Sequence, residues 1–361
     1  MRSGEAPSRR KALRLLLGTC GAALLAPPKH ARAATAMAAV PFPNGAEVLV
    51  AGTPDGPLDH WAEALMPALA HAFPPGTRLV RQNAIGNDGV TGANQFTALA
   101  VPDGATALLV PGAAATAWLV GDPRTHFDLA SWVPTLNALT PSVVMGKVPL
   151  SALAPDQSPR IAAGTPTGPD LPALLALELL GTNFTAVFGL AEPDQLRTAL
   201  GEGSVDLVLL HGEDVPERAG VLAQEGAAPL FSFGMVDADG RRTRDPMMPD
   251  VPTLEEVSAS LLGHPLRGRL LGAWKAAAAA TTLDYALVLP SLTPPDVVGL
   301  WRSMSTTMAA APAVRALASA ASVRIETAPD ANAGTVAVAT DAATLLALRG
   351  WLARRFGWMP T

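Results

Sequence analysis

Residues 81–96 read RQNAIGNDGVTGANQF, with Gly86, Gly89 and Gly92 evenly spaced between an apolar stretch and a segment of helical character. That spacing decides what the loop can hold. A dinucleotide cradle wants glycines at the first, third and sixth positions of its motif, and a nucleotide-triphosphate loop ends in a lysine followed by Ser or Thr; neither pattern is present. What remains is a Gly-rich turn entering a helix, where unsatisfied first-turn N–H groups and the helix dipole suit a carboxylate. The plainer alternative is that the glycines only supply positive φ for a tight turn. On physical grounds the two readings stand level.

Outward from this loop, short apolar runs recur: AEVLVA (46–51), TRLVRQ (77–82), ATALLVP (105–111), PSVVMGK (141–147), RIAAG (160–164), FTAVFG (184–189), VDLVLL (205–210), PLFSFGMV (229–236) and DYALVLP (284–290). Between them lie helical patterns such as Leu58, Trp61, Leu65 and Leu69, or Leu171, Leu174, Leu175 and Leu179. Alternating strands and helices predict an α/β architecture with mostly parallel, doubly wound sheets. Pro57, Pro193 and the TPPD of 293–296 mark helix starts, and Pro67 should kink or end the first helix. PDVPTLEE (249–256) reads as a Pro-fixed turn feeding a helix start.

Composition narrows the function. Apolar residues make up 49% of the 361 and charged residues 16%, which indicates a globular chain. Residues 1–33 read as an export signal: a basic start with Arg2, Arg9, Arg10, Lys11 and Arg14, a short apolar core, and a small-residue ARA site with cleavage after Ala33. SRRKALR carries the arginine pair of a twin-arginine signal, and the general secretory route fits equally well. The lone Cys20 leaves with this segment, so no disulfide or thiolate chemistry is expected in the mature chain. Seven of the 26 Lys/Arg and one of the 31 Asp/Glu leave too, taking the net charge from −5 to −11. Such a charge disfavours nucleic acid as a partner, and an anion would have to be held by local donors.

The motifs of catalysis are missing. The six histidines show no ligand spacing, so no metal is expected, and neither a nucleophile elbow nor a zinc-protease helix occurs. Asp59 and His60 are adjacent on a helix and point apart, which makes Asp59 a helix cap before it is an acid or a base. The chain is therefore read as a non-enzyme without cofactors.

Several stretches, taken in order, resemble the solute-binding receptors of tripartite tricarboxylate transporters, the Bordetella uptake gene family. NAIGNDGVTGANQFTALAVPDGATALLV (83–110) keeps in register that family's Asn, its Gly-rich segment and its PDGYTLL. GEGSVDLVLL (201–210) matches its GGQVD strand, MPDVPTLEEV (248–257) its LPDVPT segment, and the stretch from Leu283 its PAGTP turn and following helix. The resemblance runs from about Ala46 to the helix around Trp351. It implies a two-lobed periplasmic binding protein fold of the type II, venus-flytrap kind, with 45–138 plus 229–361 as the first lobe and 139–228 as the second. PSVVMGK and PLFSFGMV would be the crossings between lobes.

The implied function is capture of a small organic solute, carboxylate-containing, between the lobes of a monomeric periplasmic receptor, which then meets membrane permease subunits. A sensor kinase ectodomain as partner, or an exported enzyme, are the alternatives. Matched position by position, the resemblance assigns ligand contacts to Thr53, Asp55, Gly56 and Asp59 in the first loop, and to Asn83, Gly86, Gly89 and Thr91 in the second. Thr165, Thr167 and Gly168 come from the other lobe, with Phe188 lining the cleft. Asp55 and Asp88 stand where the family has uncharged residues, and each would repel a nearby carboxylate. A neutral or cationic solute stays open on that account.

Overall fold

Two mixed sheets and the helices between them carry the fold of this computed structural model, which describes residue 42 and residues 44–237 and 239–359. The export signal expected over 1–33 lies outside the described residues. In chain order come β1 (Ala46–Val50), α1 (Pro57–Ala72), β2 (Leu79–Asn83), α2 (Val90–Leu99), β3 (Thr106–Pro111), α3 (Gly112–Val120), β4 (Trp132–Leu139) and β5 (Val143–Gly146). Next are β6 (Arg160–Ala163), α4 (Leu171–Leu180), β7 (Thr185–Phe188), α5 (Pro193–Gly201), β8 (Leu207–Leu210), α6 (Val215–Gln224) and β9 (Ala228–Ser232). The chain closes with β10 (Met235–Val236), β11 (Arg242–Thr243), α7 (Leu254–Leu262), α8 (Leu271–Thr282), β12 (Leu283–Pro290), α9 (Pro295–Ala309), α10 (Pro312–Ala320), β13 (Arg324–Thr327), α11 (Asp330–Val338) and α12 (Ala342–Phe356).

The first sheet runs β13-β4-β12-β3-β1-β2 and the second β7-β6-β8-β5-β9. Parallel pairing, expected for most of each sheet, holds for β1 with β2 and β3, and for β6 with β7 and β8. The other half of each sheet is antiparallel, because β12 and β13 enter the first sheet, and β5 the second, from the opposite direction. The boundary expected at 228/229 falls within β9, which pairs with β5. The second sheet therefore extends to Ser232, and the chain re-enters the first sheet only at β12. β4 escaped the sequence reading because Pro134 interrupts it. The register slips beside that proline, where Pro134 pairs with Val288 and Leu136 with Leu287, the kind of irregularity that lets a central strand hold a residue without an N–H. Pro67 does not end α1, which runs on to Ala72. PDVPTLEE forms the expected helix start as a full capping box: the Thr253 hydroxyl accepts from the Glu256 amide at 3.3 Å, and Glu256 Oε2 accepts from the Thr253 amide at 2.7 Å.

α1, α9 and α10 cover the outer face of the first sheet, and α5 and α6 that of the second. Between the sheets one apolar cluster is continuous through α2, α3, α8, α4 and α7. α4 is apolar but for Glu178, exposed near its carboxyl end, and is buried along most of its length, as a helix largely enclosed by others must be. α8 owes its place to Ala276 through Ala280, all buried, whose small side chains let α3 and α4 both pack on it. Gly112 makes the closest approach: a Cβ there would lie 2.1 Å from the Leu283 carbonyl oxygen and 2.4 Å from that of Ala280. Gly112→Ala is expected to cost about 1–3 kcal/mol through overpacking, seen as a lower urea midpoint. Gly299→Ala in α9, where a Cβ meets nothing within 4 Å, should leave that midpoint unchanged or raise it.

Candidate functional site

In open α/β sheets, ligands collect outside the carboxyl ends of the parallel strands. Here those ends from both sheets enclose a cavity of about 430 Å³, within the roughly 300–1,000 Å³ of small-molecule sites. The first sheet supplies Pro111, Gly112 and Ala113 at the β3–α3 junction, together with Thr140 just after β4. The second supplies Thr167 and Gly168 after β6, and His211 and Gly212 after β8. Ala280, Thr281, Leu283 and Asp284 close the wall from the α8–β12 junction, and Asp88, Thr116, Asp122, Arg124 and Trp358 also line it. A larger groove of about 980 Å³ is walled by the β10–β11 hairpin, α8 and α11, but takes in no strand carboxyl end of either sheet.

The electrostatics of the wall follow from its pairings. Arg124 binds Asp122 through Nε at 3.0 Å and through a second nitrogen at 2.6 Å, and reaches Asp88 Oδ2 at 2.8 Å. Hydrogen bonds from Arg124 hold the Asp122 carboxyl below the usual carboxylate range. The charge expected at Asp88 is thus met by a guanidinium 36 residues away in sequence. His211 is neutral, because burial, aided by the charge of Arg218, pushes its pKa down to about 4. Asp284 is the opposite case: burial, with the negative charge of Glu213 adding to it, raises its pKa to about 7. Neither Asp284 Oδ2 nor Thr140 Oγ1 has a hydrogen-bond partner among the described residues.

Of the ligand contacts expected from sequence, Thr167 and Gly168 line this cavity. The others lie elsewhere, for identifiable reasons. Asp59 is buried at 3% exposure and turned inward. It accepts from Asn83 Nδ2 at 2.7 Å and from the Asp55 amide at 3.0 Å, with Arg81 at 3.4 Å. Burial raises its pKa, but these partners together outweigh burial and hold it below the usual value. Asn83 also donates to the Gly52 carbonyl at 3.3 Å, so Asp59 and Asn83 spend their polar groups tying the first two loops together. Thr53 donates to Asn87 Oδ1 at 2.8 Å, Asp55 takes a left-handed φ of 63°, and Gly56 caps α1. Gly86 and Gly89 have φ of 142° and 75°, and a Cβ on Gly89 would lie 2.5 Å from Pro111 Cδ; the glycines serve turn and close approach. The Thr91 hydroxyl sits beside Gly86, and that of Thr165 beside Gly168. Phe188 packs edge-on against Phe356 at 5.5 Å rather than facing the cavity.

Contacts around and beyond the cavity hold the two sheet layers together. Trp61 Nε1 on α1 donates to Glu213 Oε1 at 2.8 Å, and the Asp214 amide to the Ala321 carbonyl at 3.1 Å. Thr281 Oγ1 donates to the Pro169 carbonyl at 3.0 Å. Arg355 on α12 donates to the Phe184 carbonyl at 2.8 Å, with its guanidinium 4.9 Å above the Phe184 ring.

Solved structures share this architecture. A TctC solute binding protein from Polaromonas, solved without ligand, aligns over 87% of this chain and 99% of its own at 16% identity, with a TM-score of 0.66. R. palustris Rpa4515, solved with adipate, aligns over 86% of this chain and 98% of its own at 17% identity, with a TM-score of 0.51. No family model and no curated protein sequence matches the chain. The fold is the two-lobed α/β fold of periplasmic binding proteins.

Asp59→Ala should cost about 1–3 kcal/mol by leaving Asn83 and the Asp55 amide without their acceptor, measured as a loss of unfolding free energy in urea. Asp284 sets a pH dependence. Its folded pKa of about 7 lies above the unfolded value of 3.8, so the folded state binds more protons and loses stability as pH rises between the two. Asp284→Asn removes that loss, so its stability relative to wild type should climb from pH 4 to pH 7 and level off above, in denaturant melts at fixed ionic strength.

Proposed function

We propose that the chain is an exported solute-binding receptor of the tripartite tricarboxylate transporter type, holding a small organic acid between two lobes and presenting it to membrane permease subunits. The lobes are the halves built on the six-stranded and five-stranded sheets. The observation that carries this reading is the 430 Å³ cavity walled by strand ends of both sheets, in a fold shared with a TctC solute binding protein. The adipate in R. palustris Rpa4515 supports a carboxylate on the solute. Gly112 and Ala113, the first residues of α3, face the cavity with first-turn amides that have no intrahelical partner, the local donors an acidic chain needs for an anion.

Closure on the solute is the functional motion. A ligand that touches both lobes binds the closed arrangement better and shifts the population toward it. Thermal-shift screening of the purified chain against aliphatic carboxylates, amino acids, amides and aromatic acids, paired with solution scattering, tests the reading. At least one solute should raise the melting temperature and reduce the radius of gyration. A flat response across the panel in both measurements counts against a receptor.

A further inference from the structure

Building on the receptor reading above, we infer that the solute carries a cationic nitrogen, an ammonium or guanidinium group, which docks on the Asp284 carboxylate and the Thr140 hydroxyl inside the cavity. Both residues line it, from the start of β12 and from the crossing that follows β4. Thr140 is 2% exposed, and neither its Oγ1 nor Asp284 Oδ2 has a partner among the described residues. Most other polar side chains of the wall are already bonded, Thr116 to the Gly112 carbonyl and Trp358 to that of Val120; among the described residues the Thr167 hydroxyl and the neutral His211 ring are the exceptions, and neither carries a charge. Asp88 and Asp122 share Arg124, Thr281 donates to the Pro169 carbonyl, and the His211 carbonyl accepts from Arg218 at 3.0 Å.

Charge decides which kind of ligand completes this arrangement. Arg124, the cationic side chain of the wall, already faces two carboxylates. Among the described residues Asp284 faces no counter-ion: the charge acting on it is that of Glu213, also negative, with the Tyr285 hydroxyl buried beside it. A buried carboxylate without a cation is costly, and a ligand that brings one relieves the cost. A dicarboxylate would add negative charge where no guanidinium is free to meet it. A neutral solute could bond Thr140 but would leave Asp284 unpaired. An ammonium group has three donors and no acceptor, and both unpartnered oxygens accept. The elevated pKa of Asp284 fits such a site, since a bound cation favours the ionised form. With a carboxylate at the start of α3, the solute is then an amino acid in the broad sense, its two charged ends read by different parts of the first lobe.

Titration calorimetry of the purified chain with four six-carbon probes tests this: adipate, 6-aminohexanoate, 1,6-diaminohexane and adipamide. The two amines should bind about tenfold or more tighter than adipate, as a charge-assisted contact requires. Asp284→Asn should weaken both amines by about tenfold or more and change adipamide by less than about twofold. Should adipate bind tightest, or should Asp284→Asn leave the amines unaffected, the inference falls while the receptor reading stands. If none of the four binds, the solute found by the thermal-shift panel decides: one with a cationic nitrogen lost in Asp284→Asn upholds the inference, and one without it overturns the inference alone. Absence of any stabilising solute removes both. The ranking on the unsubstituted chain reads the same whether or not the variant folds.

Discussion

Five consecutive alanines, Ala276 to Ala280, let α8 lie against α3 from the first half and α4 from the second, and the rest of the molecule is arranged around that closeness. Larger side chains would hold the halves apart and split a core that is continuous from one sheet to the other. Gly112 extends the same constraint to the cavity, because α3 begins where a Cβ would strike the carbonyls of Ala280 and Leu283. The carboxyl end of α8, the amino end of α3 and the start of β12 therefore meet at one point. A cavity between the layers forms there because close packing gives way where the helices end.

That meeting point also explains how the cavity of an acidic chain can be walled without a free cation among the described residues. Arg124 bonds both Asp88 and Asp122, so each carboxylate of that cluster has a cation beside it although the three together keep one negative charge. Asp284 is left as the one carboxylate in the wall whose charge the protein does not answer. The loops expected to grip the ligand are cross-braced by Asp59 and Asn83, which fixes their frame and lies apart from the cavity between the sheets.

Much of the fold was legible because its strands are short, buried and apolar, and its helices are punctuated by proline. β4 was not, since Pro134 and the polar Thr135 and Asn137 hide a buried central strand whose irregular register is visible only in three dimensions. β13, four residues long with a sequence of RIET, offers too little pattern to read. At the cavity, Thr167 and Gly168 were named through the family resemblance, and the structure places them in its wall just after the parallel strand β6. His211 follows β8 in the same way, so the strand-end rule was the signal that would have found it. Asp284 was hidden by topology. β12 runs antiparallel to β3, with Tyr285 opposite Pro111, so the first residues of β12 reach the edge where parallel strands end. Arg124 pairs with Asp88 across a distance in sequence that no local motif spans.

The last helix has a mechanical meaning of its own. α12 packs on α3 and α8 while Arg355 and Phe356 reach Phe184 and Phe188, on either side of the loop and strand that edge the second sheet. The two layers are thus joined by the covalent crossings and also by a non-covalent strap drawn from the end of the chain. Rotation of one layer against the other has to stretch or release that strap. If the layers move as the receptor reading proposes, the stiffness of that motion is set in part far from the crossings, by a few contacts along the last helix.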